Sequence, residues 1–255
     1  MSEKFAQNLL LVSSTPPSSE GRIARLVVPG IPHHVTQRGN RREPTFFSDE
    51  DYRLYKTLLA EAAAKAKSEV WAYCLMPNHV HIILTPSDPD GLRRTFADLH
   101  RRYTAHINAR NRWTGHLWQG RFGSVAMDEA HLFTAARYVA LNPVRARLTA
   151  RAEDWPWSSA RAHLAGRDDG VVTVAPLLER IDDFGAFLSE PFDEDAAYAP
   201  LRRSETIGRP LGTDNWIERL EREHARALAP RKRGRKPRDD GGAENGELFS
   251  KLSPQ

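Results

Sequence analysis

The stretch CLMPNHVHIILTPSD (Cys74–Asp88) sets His79 and His81 two positions apart inside an otherwise apolar run. Side chains two apart on a strand share a face, so both imidazoles project with Ile83 while Val80, Ile82 and Leu84 take the other side. Rings buried in this way need partners. A divalent metal, which neutral imidazole binds well, is one answer, and hydrogen bonds to backbone or carboxylate are the other. About sixty residues on, ARYVALNPVRA places Tyr138 and Asn142 one helical turn apart. They lie on a polar stripe with His131 and Thr134, opposite Leu132, Phe133, Ala136, Val139 and Ala140. Asn142 would offer a metal a neutral oxygen, and Tyr138 a nucleophilic phenol beside it. The plainer alternatives are a tyrosine that packs with its hydroxyl in water and an asparagine that ends a helix before Pro143. The rival phenol, Tyr103 in LHRRYTAHIN, shares an apolar stripe with Leu99 and Ile107 and is explained by packing, so Tyr138 is the favoured nucleophile.

The elements that would position these residues alternate in type. IPHHVTQRGN, from Ile31, reads as a strand ending in a Gly-Asn turn. His33 and His34 on it cannot both face one way, so one of them could approach the histidine pair. Ser48 followed by Asp51 opens a helix carrying Tyr52, Tyr55, Leu58, Leu59 and Ala62 on one stripe. EVWAYCLMP and HVHIILTP form an antiparallel pair around a tight MPN connection. A second helix spans about Asp90 to Arg110. HLWQGRFGSVAM is a fourth strand whose glycines suggest a bulge or close backbone approach. DEAHLFTAARYVALN is a third helix, capped by Asp128 and stopped by Pro143. This order predicts an α+β fold: a ferredoxin-like antiparallel sheet of about four to five strands with helices packed on it.

Residues 1–23, rich in Ser and Pro, read as a disordered extension, and 24–165 as the catalytic domain. Residues 166–200 read as a turn-rich linker, 201–230 as a C-terminal helical segment built around TDNWIERLEREHARAL, and 231–255 as a basic, disordered tail. The 255 residues carry a formal net charge of +4, which suits a polyanionic partner. One cysteine, Cys74, allows no intramolecular disulfide, and no run is long enough to cross a bilayer. The expectation is a cytoplasmic, nucleoid-associated protein without a membrane partner.

MPNHVHIIL, ARYVALNPVRA and then DWPWSSARAH together resemble the single-tyrosine His-hydrophobic-His transposases. The closer likeness is to the REP-associated tyrosine transposases, which act on repeated extragenic palindromes. It covers about Ala24 to Ala165. The resemblance implies a metal held by His79, His81 and Asn142, with Tyr138 as nucleophile. Related insertion-sequence enzymes often carry Gln as the last ligand, so Asn142 shortens the reach. It further implies cleavage of single-stranded or hairpin DNA by transesterification through a 5'-phosphotyrosine, with Mg or Mn as the ion. A monomer is favoured over the homodimer of the insertion-sequence relatives. For DNA contacts the basic and aromatic residues are candidates: Arg101, Arg102 and Arg121, with Arg93, Arg94, Arg110, Arg112, Trp118 and Phe122 nearby. RGRKP (Arg233–Pro237) resembles an AT-hook, which adds Arg233, Arg235 and Lys236. A regulator of the same fold that binds nucleic acid without cleaving it, and a metal-dependent hydrolase, are the alternative functions.

Overall fold

The computed structural model describes residues 25–191 and 193–229. Four strands, β1 (His33–Arg38), β2 (Ser68–Met76), β3 (His79–Pro86) and β4 (Gly123–Ala126), form one antiparallel sheet in the order β2-β3-β1-β4. The helices α1 (Asp49–Ala66) and α2 (Gly91–Asn111) cover one face, and α3 (Glu129–Arg145) covers the other. This is the ferredoxin-like arrangement the sequence predicts.

Alternation along the strands feeds two cores. Val35, Tyr73, Leu75, Val80, Ile82 and Leu84 pack with Tyr55, Leu59, Phe96, Leu99 and Tyr103 under α1 and α2. Ala72, Cys74, Met76, Ile83 and Val125 pack with Leu132, Ala135, Ala136 and Val139 of α3. A register shift between Val70 and Ala72 keeps β2 in phase with both layers. Helix α1 begins with the expected capping box, Ser48 against Asp51. Pro77 and Asn78 alone join β2 to β3, which brings His79 directly opposite Met76.

Four expectations are corrected. The fourth strand holds only Gly123–Ala126; Leu117–Phe122 is a loop held to the end of β1 by the Gly39 to Trp118 bridge and by Gln119 N donating to Arg38 O. Helix α3 runs through Pro143 to Arg145, because a proline so near a helix end removes one backbone bond from the last turn while Ala146 N still reaches Asn142 O. Residues 166–200, expected as a linker, carry the short helices α5 (Ala175–Leu178) and α6 (Phe184–Ser189), which follow α4 (Ala160–Leu164), and the start of α7 (Glu194–Ile207). Asp169 anchors this segment, accepting hydrogen bonds from the Tyr73 hydroxyl, Lys56 and the amides of Val171 and Val172. Ile181 and Phe184 then bury against Ala140 and Ala160. The C-terminal helix α8 (Asp214–His224) is shorter than its pattern: Ala225 turns left-handed, and Leu228 folds back with Leu220 onto Leu26, Val28 and Ala126.

Candidate functional site

Register builds the site on the α3 face. Directly opposed residues of antiparallel strands point to the same side. His79 is opposite Arg38, His81 opposite Thr36, and Ile83 opposite His34, so Arg38, Thr36 and His34 join the two histidines on one face. Beyond Thr36 lies Gly123, which adds no side chain and leaves room at this end. Of the two β1 histidines, His34 is the one that approaches the pair. His33 turns away, its Nδ1 donating to Ile31 O at 2.8 Å and its Nε2 accepting from Val28 N.

The rings are held by hydrogen bonds. Asn78 Nδ2 donates to Arg42 O at 2.8 Å, so its Oδ1 faces His79 and accepts from His79 Nδ1 at 2.7 Å. His81 Nδ1 and His34 Nε2 share a hydrogen bond of 3.0 Å, with the rings stacked. Both histidines are thus gripped through Nδ1, which presents Nε2 as the ligating nitrogen. Burial pushes the His79 and His34 imidazoles down to about 3, the Arg38 charge adding to the effect on His79. Burial also holds His81 well below the ordinary value, followed by its neighbours His79 and His34 and the charges of Arg38 and Arg145. All three rings are therefore neutral at physiological pH, the form a metal requires.

Helix α3 brings the phenol. Asp128 caps it by accepting from His131 N, and the helix leads back from the His33 end of the sheet toward the His79 end. The Tyr138 ring lies edge-on to His81 at 5.2 Å and to His34 at 6.1 Å. Asn142, one turn further, is buried. Because α3 continues past Pro143, Arg145 follows on the same side, its guanidinium 5.1 Å from the Tyr138 ring and 4.6 Å from that of Tyr198. Glu194 of α7 holds Arg145 at 2.7 Å, and Tyr198 packs on Tyr138 at 4.9 Å. The C-terminal segment therefore directly supports the helix that carries Tyr138.

The other sequence candidates sit elsewhere. Tyr103 is fully buried in the opposite core and donates to Thr45 O at 2.7 Å. Arg101 and Arg102 stand on α2, across the sheet from Tyr138, and pair with Asp98 and Glu61. Arg93, Arg94 and Arg110 are likewise paired, with Asp90, Asp88 and Asp51. Arg121 lies exposed in the loop before β4. Arg233, Arg235 and Lys236 lie outside the described residues. Cys74 is buried, and burial pushes its thiol up.

Among the described residues no group of three or more His, Cys, Asp and Glu side chains could hold a metal ion. A site here would rest on two imidazoles and an amide oxygen, a donor set that the gripped, neutral rings of His79 and His81 fit. His34, Asn78, Arg38 and Arg145 escape a reading by motif. Cross-strand register would have found His34 and Arg38, and the asparagine directly before His79 was a signal within MPNHVHIIL.

Residues 28–142 match the family model for IS200-like transposases. Among solved structures, a REP-associated tyrosine transposase bound to a REP hairpin is 21% identical, with a TM-score of 0.50 over 60% of this chain and 89% of that one. A candidate transposase from Deinococcus radiodurans is 22% identical, with a TM-score of 0.34 over 46% of this chain and 95% of that one. No curated protein matches.

Proposed function

From the IS200-like transposase domain carried by residues 28–142, we propose that the chain cleaves and rejoins single-stranded DNA beside hairpins of the REP type, using Tyr138 as nucleophile. The observation that supports this most is the Tyr138 ring edge-on to His81 at 5.2 Å, on the face His81 shares with His79. A solved relative with this fold is bound to a REP hairpin, which is the substrate class this reading adopts.

Tyr138 Oη gives its proton to solvent and attacks the scissile phosphorus, a phosphotyrosine bond forms to the 5' phosphate, and the P–O bond to the 3' oxygen breaks. The departing 3' oxygen leaves as a hydroxyl after taking a proton from solvent. Bond energy is kept in the ester, so the reverse attack by a 3'-hydroxyl rejoins strands without a nucleotide cofactor. His79, His81 and Asn142 would hold a divalent ion, Mg or Mn, which polarises the phosphate oxygens when bound. Asn78 and His34 fix the imidazoles. Arg38 and Arg145, whose charges disfavour a proton on His81, by the same sign favour a phosphate at this spot. Arg145 against the Tyr138 ring also favours the phenolate as it forms and as it leaves.

The test is incubation of the full chain with end-labelled hairpin DNA bearing single-stranded flanks, in Mg or Mn, followed by denaturing electrophoresis. Wild type is expected to carry covalently bound label, and Tyr138→Phe none. Cleavage that survives Tyr138→Phe would indicate hydrolysis, and tight binding without cleavage in the wild type would indicate a regulator.

A further inference from the structure

Two loops close the end of the molecule at which His79 lies: 39–47 and 112–122. They are joined to each other by Asn40 N to Leu117 O, at 2.8 Å. Gln119 N bonds Arg38 O, Gly39 N bonds Asn78 O, and Thr45 N bonds Pro77 O, at 2.8, 2.8 and 2.9 Å, so both loops are fixed to the strand ends that carry Arg38 and His79. Helix α1 begins and α2 ends at this same end.

These loops hold four arginines, Arg41, Arg42, Arg112 and Arg121, against a single acid, Glu43. All four are exposed, and among the described residues none enters an ion pair. On the adjoining helix α2, by contrast, Arg93, Arg94, Arg101, Arg102 and Arg110 each face a carboxylate. Arg41 and Arg42 are consecutive left-handed residues, at φ 53° and 64°, a conformation disfavoured without glycine.

The same loops expose aromatic surface. Phe47 is 44% and Trp113 50% exposed, and with Leu164 they are the exposed large hydrophobics among the described residues. Their rings meet edge-on at 5.5 Å. An aromatic pair left in water beside unmatched positive charge suits unpaired bases, each of which offers a π face next to a phosphate. A duplex stem keeps those faces stacked inside.

We propose that this end of the molecule is a track for single-stranded DNA, in which Phe47 and Trp113 stack an unpaired base and Arg41, Arg42, Arg112 and Arg121 carry the phosphates toward Arg38, His79 and Tyr138. The track rests on the nuclease reading for its direction, and its binding can be measured without cleavage. It assigns the hairpin's flank, rather than its stem, to these two loops.

The experiment is fluorescence anisotropy of labelled oligonucleotides with EDTA present, using a hairpin with a single-stranded flank, the same hairpin blunt, and oligo-dT. The double variant Phe47→Leu/Trp113→Leu keeps apolar bulk and removes the π faces. It is expected to bind the flanked hairpin and oligo-dT about tenfold more weakly than wild type, and the blunt hairpin equally. Arg112→Gln/Arg121→Gln is expected to weaken binding and flatten its salt dependence. Should the double variant lose thermal stability, Trp113→Phe, which retains a ring, is compared with Trp113→Leu, and only the leucine variant should weaken binding. Unchanged affinity for the flanked hairpin overturns the track, as does equal loss on flanked and blunt hairpins. If wild type forms no covalent adduct while the loops still select the flank, the nuclease reading fails and the track stands. If wild type forms the adduct and the leucine variant matches it at limiting DNA, the reverse holds.

Discussion

Replacing Asn78 by alanine isolates the support of His79 from the ligand itself. Asn78 is 5% exposed; its Nδ2 is committed to Arg42 O at 2.8 Å, which leaves Oδ1 to accept from His79 Nδ1 at 2.7 Å. That bond keeps the proton on Nδ1 and the lone pair on Nε2. Alanine removes both bonds, each worth about 1 kcal/mol, for a loss of about 2 kcal/mol. In a chain of this size the loss lowers Tm by about 4–8 °C. Metal affinity should fall further, by about 10–100-fold, because the ring loses both its tautomer and its orientation. Asn78→Asp keeps an acceptor for His79 but turns a second acceptor oxygen on Arg42 O, so it should retain metal affinity to within a few-fold while Tm falls at least as far as in Asn78→Ala. The assay is titration with Mn²⁺ in the absence of DNA, free ion being read by electron paramagnetic resonance. Wild-type affinity in Asn78→Ala, or equal weakening in both variants, would refute the proposed role of Asn78.

Further outcomes follow from the packing. Tyr103→Phe deletes the bond to Thr45 O and leaves that carbonyl buried, so thermal denaturation should show a loss of about 1–2 kcal/mol while covalent adduct formation stays at the wild-type level. Asp51 has a buried side chain that accepts from Arg110 and from the amides of Phe47 and Ser48. Burial raises its carboxyl, but the Arg110 and Phe47 hydrogen bonds and the guanidinium charge outweigh it and hold it below the ordinary 3.8. A depressed carboxyl stabilises the fold above that value and ceases to do so as pH falls through the lower folded one. Asp51→Asn should therefore be less stable than wild type at pH 7, with the gap closing below about pH 4 in urea melts at successive pH values. Asp169→Ala frees the segment from Tyr73, Lys56 and the Val171 and Val172 amides, and limited proteolysis should then cut near residues 166–174 faster than in wild type.

The strands, the three long helices and their order could be read from the sequence because alternation and helical spacing are local. So could the shared face of His79, His81 and Ile83, which follows from one strand. His34 could not be chosen over His33 until β1 was registered against β3, a relation between segments far apart in the chain. Arg145 was hidden by the assumption that Pro143 ends its helix, although near a terminus proline removes only one bond. Arginines gave the least away: Arg102 and Arg121 look alike in sequence, and only the fold shows Glu61 of α1 beside the first. The segment after residue 166 is turn-rich because its helices are short, and its attachment depends on single residues such as Asp169, Phe184 and Tyr198 that carry no periodic signal.

Tyr138 is expected to become esterified to DNA. The most direct measurement is mass spectrometry of the protein digested after reaction with a flanked hairpin and Mg or Mn, with nuclease trimming of the attached strand. A nucleotide mass is expected on the peptide containing Tyr138, joined through a 5' phosphate, with a free 3'-hydroxyl on the released strand. A nucleotide on the peptide containing Tyr103, or cut strands with no protein-bound phosphate, would contradict this.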